Sequence, residues 1–268
     1  YLKFKVILPM YTHVKKCIFW LTFASIMFAV PMQVKAMDDA DIADLARMLQ
    51  RATPSEAEDA FWQQIDILRK ESEKGNHAEA LELINQLNSR LEQRPDLQSV
   101  LAIEAGSIQV ALKNWQQAKQ HFLRSLDIEE RLSTKEIDRF ENPLMWLAGV
   151  EIELKEPDKA EAHYLRLLRM KQSTFGALNY RIIAQLWALS HLYLNQGQYE
   201  KAETYVREEL KIWATKPTFL GSPLGDEATA LQNLGAVQAH QIKVKEAIQS
   251  HLQARKIMAT EQILKSNP

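Results

Sequence analysis

One alanine that returns at a nearly constant spacing constrains the fold of this chain more than any other feature. Five copies are separated by 38, 42, 42 and 45 residues, and each follows a turn and precedes an amphipathic run. They are Ala80, Ala118, Ala160, Ala202 and Ala247. Self-similarity at this period is typical of stacked helical units. The sequence therefore predicts a repeat protein rather than a single globular core.

A second set of positions indicates how two helices would meet within each repeat. Twelve residues before four of the alanines the side chain is small: Gly106, Ala148, Ser190 and Gly235. Helices whose axes lie about 8–10 Å apart need small side chains where they touch. The pattern predicts a tight helical hairpin in each of these repeats. Leu68 holds this place in the first repeat, so we expect that repeat to pack differently.

Residues 186–202 resemble the tetratricopeptide repeat (TPR) family. The family's characteristic residues follow one another here in the same order: a small residue at Ser190, a tyrosine at Tyr193, a turn glycine at Gly197, a second tyrosine at Tyr199 and an alanine at Ala202. The period of about 42 exceeds the usual ~34 residues and is similar to the long hairpins of kinesin light chain. This resemblance covers roughly residues 59–262. It implies an all-α fold, a right-handed α-solenoid of about five TPR-like helical hairpins over residues 53–268.

Residues 1–36 are organised like a signal peptide. Lys15-Lys16 precede an uncharged apolar run over 17–30, and 34–36 offer small side chains where a signal peptidase cleaves. The run has 14 residues, fewer than the ~20 that span a bilayer as a helix. We expect a true start at Met10 and a periplasmic or secreted mature chain that meets a membrane only through this segment. The alternative is an uncleaved anchor in the inner membrane.

Charge and cysteine content exclude several functions for the remaining chain. Residues 1–36 hold five of the 33 basic residues and none of the 34 acidic ones, so the rest is net negative. A negative chain is a poor ligand for nucleic acid. Cys17 is the single cysteine and leaves with the signal segment. Disulfides, thiolate metal sites and cysteine nucleophiles are therefore not expected.

Residues 37–52 read as a short acidic amphipathic helix. Ile42, Leu45 and Leu49 share one face of it. A new helix start follows at residues 53–56, where Thr, Pro, Ser and Glu stand in the order of a capping sequence. We expect the first helix to cap repeat one.

The chain carries no catalytic or nucleotide-binding motif, and we expect neither enzymatic activity nor a cofactor. Its histidines are scattered over separate repeats, which favours packing or surface roles over a metal site. The pairs Glu129-Glu130 and Glu208-Glu209 are adjacent on helices, where neighbours point about 100° apart. We interpret these glutamates as solvent-facing.

The resemblance implies that the first helix of each hairpin lines a concave groove. The candidate groove residues are Asn142, Met145, Trp187, His191, Asn195, Gln232 and His240. Trp187 would supply contact area and Asn195 would bond peptide N–H and C=O groups. The alternative is that Trp187 packs between hairpins. These positions include no Lys or Arg, which speaks against a clamp for carboxylates.

The resulting hypothesis is an exported, non-enzymatic TPR scaffold that binds a peptide segment or partner protein in its groove, in the periplasm of a Gram-negative envelope. A competing interpretation is an envelope assembly factor that acts through the edges of the solenoid. Ile248, Leu252 and Ile263 would be uncovered on the last hairpin, giving a surface for a homodimer or partner. The loop over 214–225 is a further interaction candidate, unless it folds back.

Cleavage before Met37 is the first testable expectation. Mass spectrometry of the chain purified from its own host should give a mass that begins at Met37. An intact segment over 10–36 would contradict the interpretation as a cleaved signal and favour the anchor.

Overall fold

The computed structural model describes residues 54–91, 93–132, 136–215 and 223–266, all within one compact unit that spans Ile42–Pro268. Within these ranges the chain forms helices and no strand. The α-helices are α1 (Pro54–Glu73), α2 (His77–Arg90), α3 (Pro95–Ala111), α4 (Trp115–Arg131), α5 (Ile137–Glu153), α6 (Pro157–Phe175), α7 (Ile183–Asn195), α8 (Tyr199–Ala214), α9 (Pro223–His240) and α10 (Val244–Ser266). A 3-10 turn, Tyr180–Ile182, precedes α7.

Consecutive helices pair into five hairpins, and each hairpin packs mainly against its neighbours in sequence. The expected all-α solenoid is confirmed. None of the described helices combines the length and the apolar composition needed to cross a membrane. The expected signal segment over 1–36 and the helix over 37–52 lie outside the described residues, as does most of the 214–225 loop.

Every hairpin is closed by the same backbone turn. The residue five places before the repeat alanine has a left-handed φ of 60–93°, at Gly75, Lys113, Lys155, Gly197 and Ile242. The backbone N–H of the residue after it donates to the carbonyl oxygen of the residue five places before that donor, over 2.8–3.1 Å. This is the Schellman ending, which usually takes glycine. Three of the five turns adopt it with a side chain present, at a cost of about 1–2 kcal/mol each.

The recurring alanines lie where the two helices of a hairpin meet. All five are at most 5% exposed. The small residues on the first helices are buried as well, and two glycines allow an especially close approach. A methyl group on Gly106 would lie 2.5 Å from the ring of Phe122, and one on Gly235 would lie 2.7 Å from His251. The predicted tight contacts are therefore present.

Polar bonds join one hairpin to the next, and they start from the residue that follows the repeat alanine. Lys119 Nζ lies 3.0 Å from Glu151 Oε1 in the following hairpin. The Tyr193 hydroxyl donates to Glu161 over 2.7 Å. Lys243 Nζ donates to Glu203 over 2.9 Å. The chemistry differs at these three junctions, but the position that supplies the bond is the same. At the first junction this position is Leu81, and the first helices are joined by the bond from Arg69 to Glu104 instead.

The expectation that Glu129-Glu130 and Glu208-Glu209 face solvent is wrong for one member of each pair. Glu129 and Glu209 are buried. Arg139, at the start of α5, donates to Glu129 over 2.6 Å. The indole N–H of Trp213, one helical turn after Glu209, donates to the Glu209 carboxylate over 3.3 Å. A buried carboxylate is tolerated when it is bonded in this way.

Two helix-interior glycines should respond to alanine in opposite directions. Gly106→Ala should lower the free energy of unfolding by about 1–3 kcal/mol, because the new methyl group meets the Phe122 ring. Gly149→Ala should raise it by about 0.5–1 kcal/mol, because its methyl group would enter open space and only the helix propensity changes. Urea unfolding of both variants measures this difference. A shift of the same sign in both would contradict the close contact at Gly106.

Candidate functional site: the inner face of the hairpins

The first helices of successive hairpins form one row. Arg69 on α1 donates from Nε to Glu104 on α3 over 3.1 Å. Gln185 on α7 places Nε2 3.6 Å from the sulfur of Met145 on α5. We use the term inner face for the surface of α1, α3, α5, α7 and α9 that is turned away from their own second helices. All seven candidate site residues lie on these helices.

Trp187 and His191 form an aromatic pair on α7, one of the first helices. Their ring centroids are 4.1 Å apart with the planes tilted by 32°. Both side chains are half-buried, and Trp187 packs against a buried cluster that includes Leu186, Leu189 and Tyr193. The cluster combines residues of hairpins three, four and five, so the indole rests on a core that successive hairpins share, and it still presents part of its surface.

The tautomer of His191 follows from its hydrogen bond. Its Nδ1 lies 3.0 Å from the carbonyl oxygen of Trp187, which can only accept, so Nδ1 carries the hydrogen. Burial lowers the pKa of His191, against a smaller opposing effect of this bond. The ring is consequently neutral near pH 7 and its Nε2 is an acceptor. A donor such as a peptide N–H can bind to it.

Met145 and Asn142 extend this group onto the preceding hairpin. Met145 is half-buried and packs against the same cluster as Trp187, so it bridges hairpins three and four. Asn142 lies one turn earlier on α5 and is also half-buried. Its Oδ1 is buried without a hydrogen-bond partner among the described residues. The structure thus brings Met145, Trp187 and His191 to one region of the row.

The other three candidates lie apart from this centre or at its margin. Asn195 is exposed at the end of α7, one turn beyond His191. His240 stacks on Tyr199 of the preceding hairpin, with centroids 5.0 Å apart and planes at 10°. Gln232 is exposed, and its Nε2 lies 3.4 Å from the sulfur of Met258 on α10. His240 and Gln232 therefore contact neighbouring elements as well as solvent.

A cavity on α1 and α3 was missed by the sequence reasoning. It has a volume of about 190 Å³ and is lined by Arg69, Ser72, Glu104, Ser107 and nearby aliphatic residues. Arg69 holds the same repeat position as Ser107 and His191, so the period could have identified it. Its guanidinium is engaged by Glu104 and lies 3.6 Å from Asp66. This arginine is therefore not an open receptor for a ligand carboxylate.

The inner face combines aromatic, amide and hydroxyl groups in the manner of a binding surface. No group of three or more His, Cys, Asp or Glu side chains in the described ranges could hold a metal ion. The Trp187–His191 pair can offer contact area and a hydrogen-bond acceptor.

Comparison with known proteins supports the repeat architecture. The family model described as tetratricopeptide repeat matches residues 140–215, which hold hairpins three and four. No curated protein sequence matches the chain. The resemblance to TPR proteins deduced from the repeat is confirmed.

Solved structures share the fold at low sequence identity. BtubC (BKLC) from P. vanneervenii superimposes with a TM-score of 0.68 at 19% identity, over 82% of this chain and 91% of that one. A putative kinesin light chain repeat protein from P. anserina gives 0.64 at 16% identity, over 81% and 98%. YrrB, described as a TPR protein with an unusual peptide-binding site, gives 0.50 at 17% identity, over 79% and 93%. The similarity to kinesin light chain repeats agrees with the long period.

Glutamine at His191 should flatten the dependence of stability on pH. Because burial lowers the pKa of His191, the unfolded chain binds the proton more tightly, and stability falls as pH drops below about 6.5. The glutamine side chain cannot be protonated in this range. Urea unfolding at pH 7.5 and 5.5 should show a smaller loss of stability for His191→Gln than for the wild type. Burial also lowers the pKa of His121, but that residue is present in both proteins. Equal losses would contradict a neutral, buried His191.

Proposed function

We propose that this chain is a non-enzymatic scaffold that binds a peptide segment or partner protein along its inner face, with Trp187 and His191 as the anchor. The carrying observation is the half-buried aromatic pair at 4.1 Å, with Trp187 packed on a core that hairpins three to five share. The TPR fold itself suggests a scaffold for protein–protein interaction.

The anchor is organised before any ligand arrives. Packing against the core cluster holds Trp187, and the bond to the Trp187 carbonyl fixes the imidazole of His191. A side chain that is already ordered loses little entropy on binding, which raises affinity. A peptide N–H can donate to Nε2 of His191, while the Asn195 amide can both donate and accept.

The ligand side chain at the anchor should be apolar or aromatic and uncharged. Trp187 and Met145 offer apolar surface, and the neutral His191 offers no positive charge. Arg69, farther along the row, is bonded to Glu104. These features favour a hydrophobic peptide segment over an acidic chain terminus. YrrB, whose described feature is a peptide-binding site, has the same fold.

The proposed setting is the periplasm or the exterior of the cell. This part of the proposal rests on the charge and hydropathy pattern of residues 1–36. The partner would then be an envelope or secreted protein.

A second candidate function is assembly through the edge of the solenoid. Ile248 and Leu252 on the last hairpin are 54% and 56% exposed, as the sequence predicts. An assembly factor would bind through these residues rather than through Trp187.

Removal of the Trp187 ring should weaken partner binding strongly. The mature chain over 37–268 is immobilised and incubated with envelope extract of its host, and the wild type should recover a partner protein. Trp187→Ala should recover at least about tenfold less of this protein, because anchors of this kind contribute 2 kcal/mol or more. Asn195→Ala should weaken recovery to a smaller degree.

Leu178→Ala is the control, because it truncates an exposed apolar side chain that lies away from the inner face, between α6 and the 3-10 turn. It should recover as much protein as the wild type. If Trp187→Ala recovers as much protein as the wild type, the binding site does not include Trp187. The same conclusion follows if all variants, including Leu178→Ala, lose binding equally.

A further inference from the structure

The outer face of the last helix, α10, is apolar and uncovered. Val244, Ile248 and Leu252 are 54–59% exposed, and Met258 is 41% exposed. A neighbouring face of α10 is buried against α9 through Ala247, Ser250 and Ala254. A helix with apolar residues over two adjoining faces is typical of one that packs against two elements.

The repeat register shows what normally covers this face. One residue after the repeat alanine, Lys119 and Glu203 have side chains only 14% and 11% exposed, because the next hairpin packs on them. Eight residues after the alanine, Leu126 and Leu168 are buried for the same reason. On α10 the corresponding positions are Ile248 and Arg255, and both are exposed.

The residues at these two positions, taken as a pair, differ from those in the covered hairpins. In hairpins two to four the position after the alanine is charged and bonds across the junction. In hairpin one it is the half-buried Leu81. On α10 it is Ile248, which can only make an apolar contact. The buried leucine is replaced by Arg255, which can bind a carboxylate. We call the surface formed by Val244, Ile248, His251, Leu252, Arg255 and Met258 the C-terminal edge. It combines an apolar residue after the alanine with a cation eight places after it, and none of the four described junctions has this combination.

Charge on the edge restricts the partner. Arg255 lies within the apolar stripe, and Lys245 and Lys256 flank it on the side of Leu252. The acidic residues Glu246 and Glu261 project on helix faces away from the stripe, by the 100° step of the helix. Arginine and methionine are enriched at protein interfaces. The complementary surface is apolar with negative flanks.

Neither end of a second copy fits this requirement among the described residues. The outer face of α1 carries exposed Gln63 and Lys70, where α3 buries Leu101 and Ile108. The exposed Trp62 of α1 is a single apolar residue and not a stripe. A second α10 would bring Arg255 and its flanking lysines against the same positive charges. Head-to-tail stacking and edge-to-edge pairing are both poorly matched.

We infer that the C-terminal edge is a second protein-binding surface, which takes an amphipathic helix with an apolar stripe and acidic flanks from a partner protein. The helix packs on α10 where the first helix of a following hairpin would lie. Its apolar stripe contacts Ile248 and Met258, and a carboxylate pairs with Arg255. This surface is independent of the anchor at Trp187.

Two synthetic helical peptides test the edge directly. Both have one leucine stripe, with glutamates beside it in the first peptide and lysines in the second. Titration of the mature chain should show binding of the glutamate peptide and no binding of the lysine peptide. Ile248→Asp and Arg255→Glu should each lower the affinity for the glutamate peptide by about tenfold or more, which is the size expected for loss of a central contact.

Gln253→Asp is the matched control, because it adds the same charge to an exposed position of α10 outside the stripe. It should reduce binding by less than Ile248→Asp, and Trp187→Ala should leave binding unchanged. Equal weakening by Gln253→Asp, equal binding of both peptides, or binding of neither would overturn the proposal. Sedimentation that shows a dimer dissociated by Ile248→Asp would also overturn it, in favour of self-association. Because Trp187 does not take part here, failure at the edge and failure of the inner-face proposal are distinguishable.

Discussion

Packing between neighbouring hairpins is the constraint on which the rest of this structure depends. A pair of helices cannot bury its apolar surface alone, so each hairpin needs the next. The buried clusters accordingly combine residues from successive hairpins, and Met145 belongs to the margin of two of them. Polar links at Lys119, Glu161 and Glu203 help to fix the register of three of the four described junctions. The inner face exists because this stacking places the first helices in one row.

The fold tolerates wide variation in sequence because the repeated requirement is geometric. The same left-handed turn closes each hairpin, whether its residue is glycine, lysine or isoleucine. The same junction position carries a lysine in one hairpin and a glutamate in two others. In hairpins two to five a small residue stays at the close contact, because a larger side chain would meet rings such as that of Phe122. Hairpin one has the buried Leu68 there.

The fold was predictable from sequence because its determinants are local and periodic. The alanine spacing, the small residues twelve places earlier and the helix start at Pro54 all correspond to features of the structure. The burial of Glu129 and Glu209 was not predictable in the same way. Whether a glutamate faces solvent or an arginine depends on which residue the next hairpin brings to it, and that is a contact between distant parts of the chain.

The candidate site shows the same division. Trp187 and His191 are one helical turn apart, so their pairing could be anticipated from the sequence. The tautomer and the lowered pKa of His191 depend on burial and on a carbonyl contact, which a sequence does not display. The stacking of His240 on Tyr199 joins two hairpins and needed the register of α9 against α8. Arg69 escaped notice because the first repeat lacks the small residue of the others.

The strictly sequential packing also limits how two bound partners could influence each other. Trp187 lies on hairpin four and Ile248 on hairpin five, and these hairpins meet at one junction, with Tyr199 against His240 and Glu203 against Lys243. Any thermodynamic coupling between the two sites must be transmitted through a shift of this junction, because linkage requires a shared change of state. If the junction stays rigid, the two occupancies are statistically independent and the chain acts as a passive bridge between its ligands.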